Sequence, residues 1–150
     1  MAGNSDSHEV PAAAEGVFEF PVDVTASVID RNGHVNNVAY VKWMQDAAVA
    51  HVRARIPRDA AAMDDSTWVA RSHFIEYLRP VVIEDRIVVK TWVAEFRRVR
   101  SLRRYHIVRQ NDQQLVARGE TDWVFIASDT GRPRSIPELI RSAFVLLPDE

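Results

Sequence analysis

A single stretch of helical periodicity, from Asn36 or Asn37 to about Arg55, is followed by segments that read almost entirely as strand. Its apolar positions Val38, Val41, Met44, Ala47, Ala48 and Val52 cover a broad face, and Ala47, Ala48 and Ala50 admit close approach of a neighbour. At ~1.5 Å per residue the helix would be about 28 Å long. An asparagine caps its start and Pro57 ends it. Such a helix is expected at the centre of the fold.

Before it, Phe18, Phe20, Val22, Val24, Ala26 and Val28 share one parity, and Glu19, Asp23, Thr25 and Ser27 take the other. That alternation predicts a half-buried strand, with Pro21 marking an edge or a bulge. After a polar, Ala-rich loop (Ala60–Ser66), strands are expected over Trp68–Leu78, Arg86–Phe96, Leu102–Arg109 and Leu115–Ala127. The turns between them, Val81–Asp85, Arg97–Ser101 and Gln110–Gln114, are too short for parallel crossovers, so the strands should form antiparallel hairpins. A short helix is expected over Pro137–Phe144. The class is α+β, one antiparallel sheet packed on one long central helix.

A chain of 150 residues, 47% of them apolar, suits one domain, expected over residues 17–150. Residues 1–16 are small, polar and acidic, lack the features of a secretory signal, and are expected to form a disordered arm. No segment approaches the ~20 apolar residues of a membrane span, and the expected location is the cytoplasm. Zero cysteines exclude a thiolate nucleophile and a cysteine zinc site. Five glycines supply neither a phosphate loop nor a dinucleotide fingerprint, and the Gly-x-Ser-x-Gly elbow of serine hydrolases is missing. His8, His34, His51, His73 and His106 are too scattered for metal-ligand spacing. No metal or cofactor is expected. A net charge of −2 argues against nucleic acid as the main partner. Trp43, Trp68, Trp92 and Trp123 are expected in the core or at a subunit interface, and His51 and His73 in structural roles.

The strand–helix junction carries the chemistry. If the first strand keeps its register, Asp30 shares the parity of the core residues and projects toward the helix. One reading is structural: Asp30 closes an Asx-turn through Asp30-Arg31-Asn32-Gly33, and Asn36 or Asn37 caps the helix. The other is catalytic. A helix amino terminus offers unpaired N–H groups to an oxyanion, a carboxylate nearby can attack or activate water, and His34 can shuttle a proton.

The segment Asp30-Arg31-Asn32-Gly33-His34-Val35-Asn36-Asn37-Val38-Ala39-Tyr40 resembles the helix-entry motif of hotdog-fold thioesterases. Its Asp-to-Tyr spacing is similar to the 4-hydroxybenzoyl-CoA thioesterase group. Its Asp-x-Asn-x-His-Val-Asn-Asn-x-x-Tyr pattern is similar to acyl-acyl-carrier-protein thioesterases. Tyr77-Leu78-Arg79-Pro80 with Asp85, Trp123-Val124-Phe125, and Thr130-Gly131-Arg132-Pro133 with Ile136-Pro137 extend the resemblance over roughly residues 17–140.

The resemblance implies a hotdog fold that pairs edge to edge into a homodimer or homotetramer, with sites at the subunit interface. It also implies hydrolysis of an acyl-CoA or acyl-carrier-protein thioester, a reaction of fatty acid metabolism. Asp30 matches the catalytic carboxylate as nucleophile or general base. Asn32 and His34 match groups that position water and proton, and the Asn37 backbone N–H matches the oxyanion donor. Residues His34, Asn36 and Asn37 depart from the apolar or aromatic positions usual in the CoA branch. Arg97, Arg98, Arg100, Arg103 and Arg104, around the hairpin of the third and fourth expected strands, would bind CoA phosphates or an acidic carrier, or form a solvated turn. Glu76 falls in a strand that could face the site. A non-catalytic acyl-CoA-binding protein is the alternative, and a hotdog dehydratase or hydratase a further one, though the Gly-His-Phe-type segment of the latter is missing.

Overall fold

The computed structural model describes residues 15–149. Its elements follow the chain order β1 (Phe18–Asp23), α1 (Asn37–Arg55), β2 (Ser66–Tyr77), β3 (Arg86–Phe96), β4 (Arg100–Arg109), β5 (Gln114–Ala127) and α2 (Glu138–Ser142), with 3-10 turns at Ala26–Val28 and Ala61–Met63. The arm expected over residues 1–16 lies outside the described residues except for Glu15 and Gly16. The five strands form one antiparallel sheet in the order β1-β3-β4-β5-β2. Hairpins place β3, β4 and β5 side by side. The long connections through α1 put β1 and β2 at opposite edges, and Pro21 therefore costs no ladder bond on an inner strand.

Helix α1 packs across one face of the sheet. Its buried face is Ala39, Tyr40, Trp43, Met44, Ala47, Ala48 and His51. These residues meet Ile87 and Val89 of β3, Tyr105 and Ile107 of β4, and Val116 and Ala117 at the start of β5. The small residues at 39, 47 and 48 are what let a helix approach a curved sheet so closely. Val38, expected on the apolar face, is instead 78% exposed. Tyr40 and Trp43 carry the burial that the spacing assigned to it. A second apolar cluster surrounds the carboxyl end of α1, where Ile56, Val93, Phe125, Ile136, Ile140 and Phe144 pack together. Strand β3 is buried along almost its whole length, which accounts for its continuous Ile/Val run in place of an alternation.

Strand β1 is shorter than its alternation predicts. It ends at Asp23, and a 3-10 turn over Ala26–Val28 redirects the chain. Val24 and Val28 still pack against the core, so the parity reports burial while the backbone has left the strand. Asp30 accordingly does not inherit the inward orientation of Phe18, Phe20 and Val22; it is exposed on the surface of the chain.

Two contacts make the helix–sheet packing specific. Gly119 of β5 lies beneath Met44: a Cβ there would stand 2.8 Å from the Phe74 carbonyl oxygen and 3.1 Å from Met44 Cε. His51, 1% exposed, stacks on Phe18 at 5.0 Å and meets the edge of Phe144 at 5.0 Å. It accepts a hydrogen bond at Nδ1 from Arg103 Nη1 at 2.9 Å. Burial and the neighbouring Arg103 and Arg55 charges push its pKa down to about 3.

Because the closest obstacle is backbone, Gly119→Ala should lower stability by about 1–3 kcal/mol, read as a lower Tm. In the unfolded chain His51 takes up a proton near its ordinary value of 6.5, whereas in the fold it stays neutral down to about 3. Between those limits the unfolded state binds the extra proton. Stability fully present above pH 6.5 is therefore lost as pH falls, by at most about 1.4 kcal/mol per pH unit. Urea unfolding from pH 7 to 4.5 should show a shallower loss in His51→Gln than in the wild type. Equal slopes would mean that His51 is protonated in the fold.

Candidate active site

The loop before α1 is built by backbone hydrogen bonds. An isolated bridge joins Ile29 to Val35. Asp30 N–H donates to the His34 carbonyl at 2.8 Å and Gly33 N–H donates to the Asp30 carbonyl at 3.0 Å. Gly33 has φ +80°, a left-handed angle that a side chain would strain. Into this turn the Asp30 carboxylate puts one oxygen: Oδ1 accepts from Asn32 N–H at 2.9 Å and from His34 N–H at 3.2 Å. The Asx-turn reading is thus correct as geometry, and it leaves Oδ2 outside the turn. Asn32 and His34 reach Asp30 through their backbones, while their side chains stand exposed beside it.

Asn36 fixes where the helix starts. Its Oδ1 accepts from Ala39 N–H at 2.9 Å, and its Nδ2 donates to the Val28 carbonyl at 3.0 Å. Its own N–H also donates to Val28, and Val35 N–H donates to the Val81 carbonyl. With Ala39 capped, the N–H groups of Asn37 and Val38 have no acceptor among the described residues, and they lie at the positive end of a 19-residue helix. The junction therefore presents a carboxylate with one oxygen held and two open backbone donors, all on the surface.

Strand β2 supplies a contact that sequence reasoning missed. Tyr77 Oη donates to the Asn37 carbonyl at 3.1 Å, and its ring meets Tyr40 edge-on at 5.0 Å. The Tyr77-Leu78-Arg79-Pro80 segment was the available signal, but spacing alone does not show that it returns to the helix start. Burial, with the Tyr77 and Asp85 charges, pushes the Tyr40 hydroxyl up to about 12. Tyr40 therefore stays protonated and structural. Glu76 does not face the loop in an unpaired state, since Oε1 accepts from Arg118 Nε at 2.6 Å.

The five arginines do not form one surface. Arg100 grips Asp122 with Nε and Nη2, and Arg104 pairs with Glu120 at 3.0 Å and donates to the Pro148 carbonyl. Arg103 is 3% exposed, under the sheet. Arg97 bonds Glu95, and Arg98 donates to Ser135 Oγ at 3.0 Å. Arg97 and Arg98 alone of the five are exposed. Along β4 alternation points Arg103 to the helix and Arg100 and Arg104 away from it, while Arg97 and Arg98 lie in the turn before the strand.

Large apolar side chains are exposed on α1 and along the edge strand β2. Val38 is exposed on α1, and Val69, Phe74, Tyr77 and Leu78 are exposed on or beside the edge strand β2, with Phe74 57% exposed. A bulge between Ala70 and Ser72 interrupts the β2–β5 register. No helix is long and apolar enough to cross a membrane, and among the described residues no cluster of three His, Asp or Glu side chains is placed to hold a metal.

The family model of the thioesterase-like superfamily matches residues 24–144. No curated protein sequence is significantly similar to the chain. Solved structures are. A thioesterase from Thermus thermophilus, complexed with coenzyme A and Zn, superposes with a TM-score of 0.73 at 25% identity, over 87% of this chain and 98% of that one. A predicted thioesterase from Bacillus stearothermophilus gives 0.79 at 19% identity, over 89% and 99%. A Staphylococcus aureus protein in complex with CoA gives 0.78 at 18% identity, over 89% and 85%. With five antiparallel strands wrapped on one helix and a superfamily match over most of its length, the chain belongs to the thioesterase-like superfamily and has the hotdog fold.

Proposed function

We propose that the protein hydrolyses an acyl-CoA thioester at the start of α1, with Asp30 as the catalytic carboxylate. The observation that carries this reading is the Asp30 turn: Oδ1 is held by two N–H groups, Oδ2 is left free, and two open helix N–H groups follow a few residues on. The thioester oxygen would sit on the Asn37 N–H, whose dipole and hydrogen bond favour the oxyanion over the neutral carbonyl. Asp30 Oδ2 takes a proton from water as it attacks the carbonyl carbon, or attacks that carbon itself and is released by water. In either case the C–S bond breaks, the thiolate is protonated, and a carboxylic acid and a thiol leave. Asn32 and His34, exposed beside the carboxylate, position water and deliver the proton.

CoA is preferred as the carrier because two proteins of the same fold were solved with it bound. An acyl carrier protein is the other carrier to be tested. Among the described residues Arg98 is held by a serine hydroxyl and Arg97 pairs with Glu95, and these two exposed guanidinium groups of the arginine run are the candidates for phosphates. The active unit is a homodimer formed by pairing β2 edges. An unpaired edge strand carrying exposed Val69 and Phe74 is a surface that monomeric proteins avoid, and the junction stands open next to it.

In a thiol-release assay across short, long and aromatic acyl-CoAs, with an acyl-carrier substrate beside them, Asp30→Asn and Asp30→Ala should lower kcat at least ~100-fold. Their unfolding midpoints should stay near wild type. His34→Ala should lose less. A folded Asp30→Ala protein with near-normal turnover would falsify the assignment, and acyl-CoA binding without hydrolysis of any substrate would favour a binding protein. By light scattering, Phe74→Lys should convert the dimer to monomer with its circular dichroism unchanged. A wild-type monomer with full activity would remove β2 pairing from the account.

A further inference from the structure

A second site lies at the other end of α1. There a half-open cavity of about 330 Å³ enters between the carboxyl half of the helix and the sheet. From Asn37 to Val52 the helix rises ~22 Å, so within one chain this cavity is remote from Asp30. Its walls are apolar: Val52, Ile56, Trp68, Phe96, Trp123 and Phe144. Arg103 lines it from below, with Ser101 two residues along β4 on the same face. Arg53 and Arg58, both exposed, stand at its mouth. Among the described residues, three arginines and no carboxylate line this space.

Arg103 is the anomaly. A guanidinium that is 3% exposed is costly to bury without an opposing charge. No carboxylate pairs with it among the described residues. Its contacts are neutral: Nη1 donates to His51 Nδ1 at 2.9 Å and to Thr91 Oγ1 at 3.1 Å, and Phe144 presents its ring 5.9 Å away. Those bonds use Nη1 and orient the planar group, and among the described residues no acceptor meets Nε or Nη2 beside the cavity that Arg103 lines. Neutral His51 is what allows this, since a protonated imidazole could not accept the bond.

We propose that this cavity binds an apolar carboxylate, whose chain fills the aromatic-walled space and whose carboxylate pairs with Arg103. The site goes beyond hydrolysis at Asp30 and does not depend on it for binding. Two sources share the chemistry: a free carboxylic acid, or the far end of an acyl chain that itself carries a carboxyl group.

Calorimetric titration with decanoate and with decan-1-ol separates charge recognition from apolar filling. Wild type should bind decanoate at least about tenfold more tightly, the scale of a charge-assisted hydrogen bond away from water. Arg103→Met should lose that preference while still binding the alcohol. Val49→Trp, at a 43% exposed position on the cavity wall, should fold normally and bind neither ligand. It also serves if Arg103→Met does not fold. Equal affinity for acid and alcohol in wild type, a preference that survives Arg103→Met, or unchanged decanoate binding in Val49→Trp would each overturn the proposal. The source is then read from kcat/KM for octadecanoyl-CoA and octadecanedioyl-CoA, the same chain with a carboxyl at its far end and long enough to span the ~22 Å from the start of α1. An Arg103-dependent preference for the latter assigns the carboxylate to substrate. Equal values alongside Arg103-dependent decanoate binding assign it to the free acid.

Discussion

Asn36 holds the two halves of this structure together. With one side chain it caps α1 through Ala39 N–H and ties the chain before the helix through the Val28 carbonyl. The first bond sets the residue at which the helix begins, and hence which N–H groups are left open. The second fixes the loop containing Asp30 against that same helix turn. Without both, a buried helix would still pack on the sheet by its apolar face, but the carboxylate and the open donors would not keep a common geometry. Catalysis by electrostatic stabilisation depends on such prior placement, because donors that must reorganise contribute much less.

The sheet serves the same end from the other side. Tyr77, at the end of β2, bonds the Asn37 carbonyl, so the edge strand and the helix start share a hydrogen bond. Gly119 lets Met44 and the Phe74 backbone meet at one point, which seats α1 deep in the sheet. Burial of Tyr40, Trp43 and Met44 then leaves Val38 outside, next to the exposed side chains of β2. The two ends of α1 differ in kind. The amino end is an open surface with polar backbone groups, and the carboxyl end closes an aromatic space over a buried arginine.

Much of this was legible in the sequence because it is set locally. Asn36 and Pro57 mark both ends of α1, and the short turns dictate antiparallel neighbours for β3, β4 and β5. The Asp30–Tyr40 motif located the junction. What the sequence concealed depends on contacts between distant segments. The apolar parity of residues 18–28 runs on past the end of β1, because side chains from a 3-10 turn also reach the core. For that reason parity does not report the orientation of Asp30, which is exposed. Arg103 belongs by composition to an exposed basic run, and only its pairing with His51 and Thr91, from α1 and β3, accounts for its burial. Tyr77 could be flagged by its segment but not connected to Asn37.

In the proposed reaction Asp30 and the first turn of α1 act together on one thioester carbonyl. A crystal structure of the protein with a non-hydrolysable ketone analogue of an acyl-CoA tests it most directly. The account predicts the ketone oxygen about 3 Å from the Asn37 N–H. It also predicts Asp30 Oδ2, or one water bound to it, at about 3–3.5 Å from the carbonyl carbon. An analogue bound with its carbonyl away from both groups would contradict it.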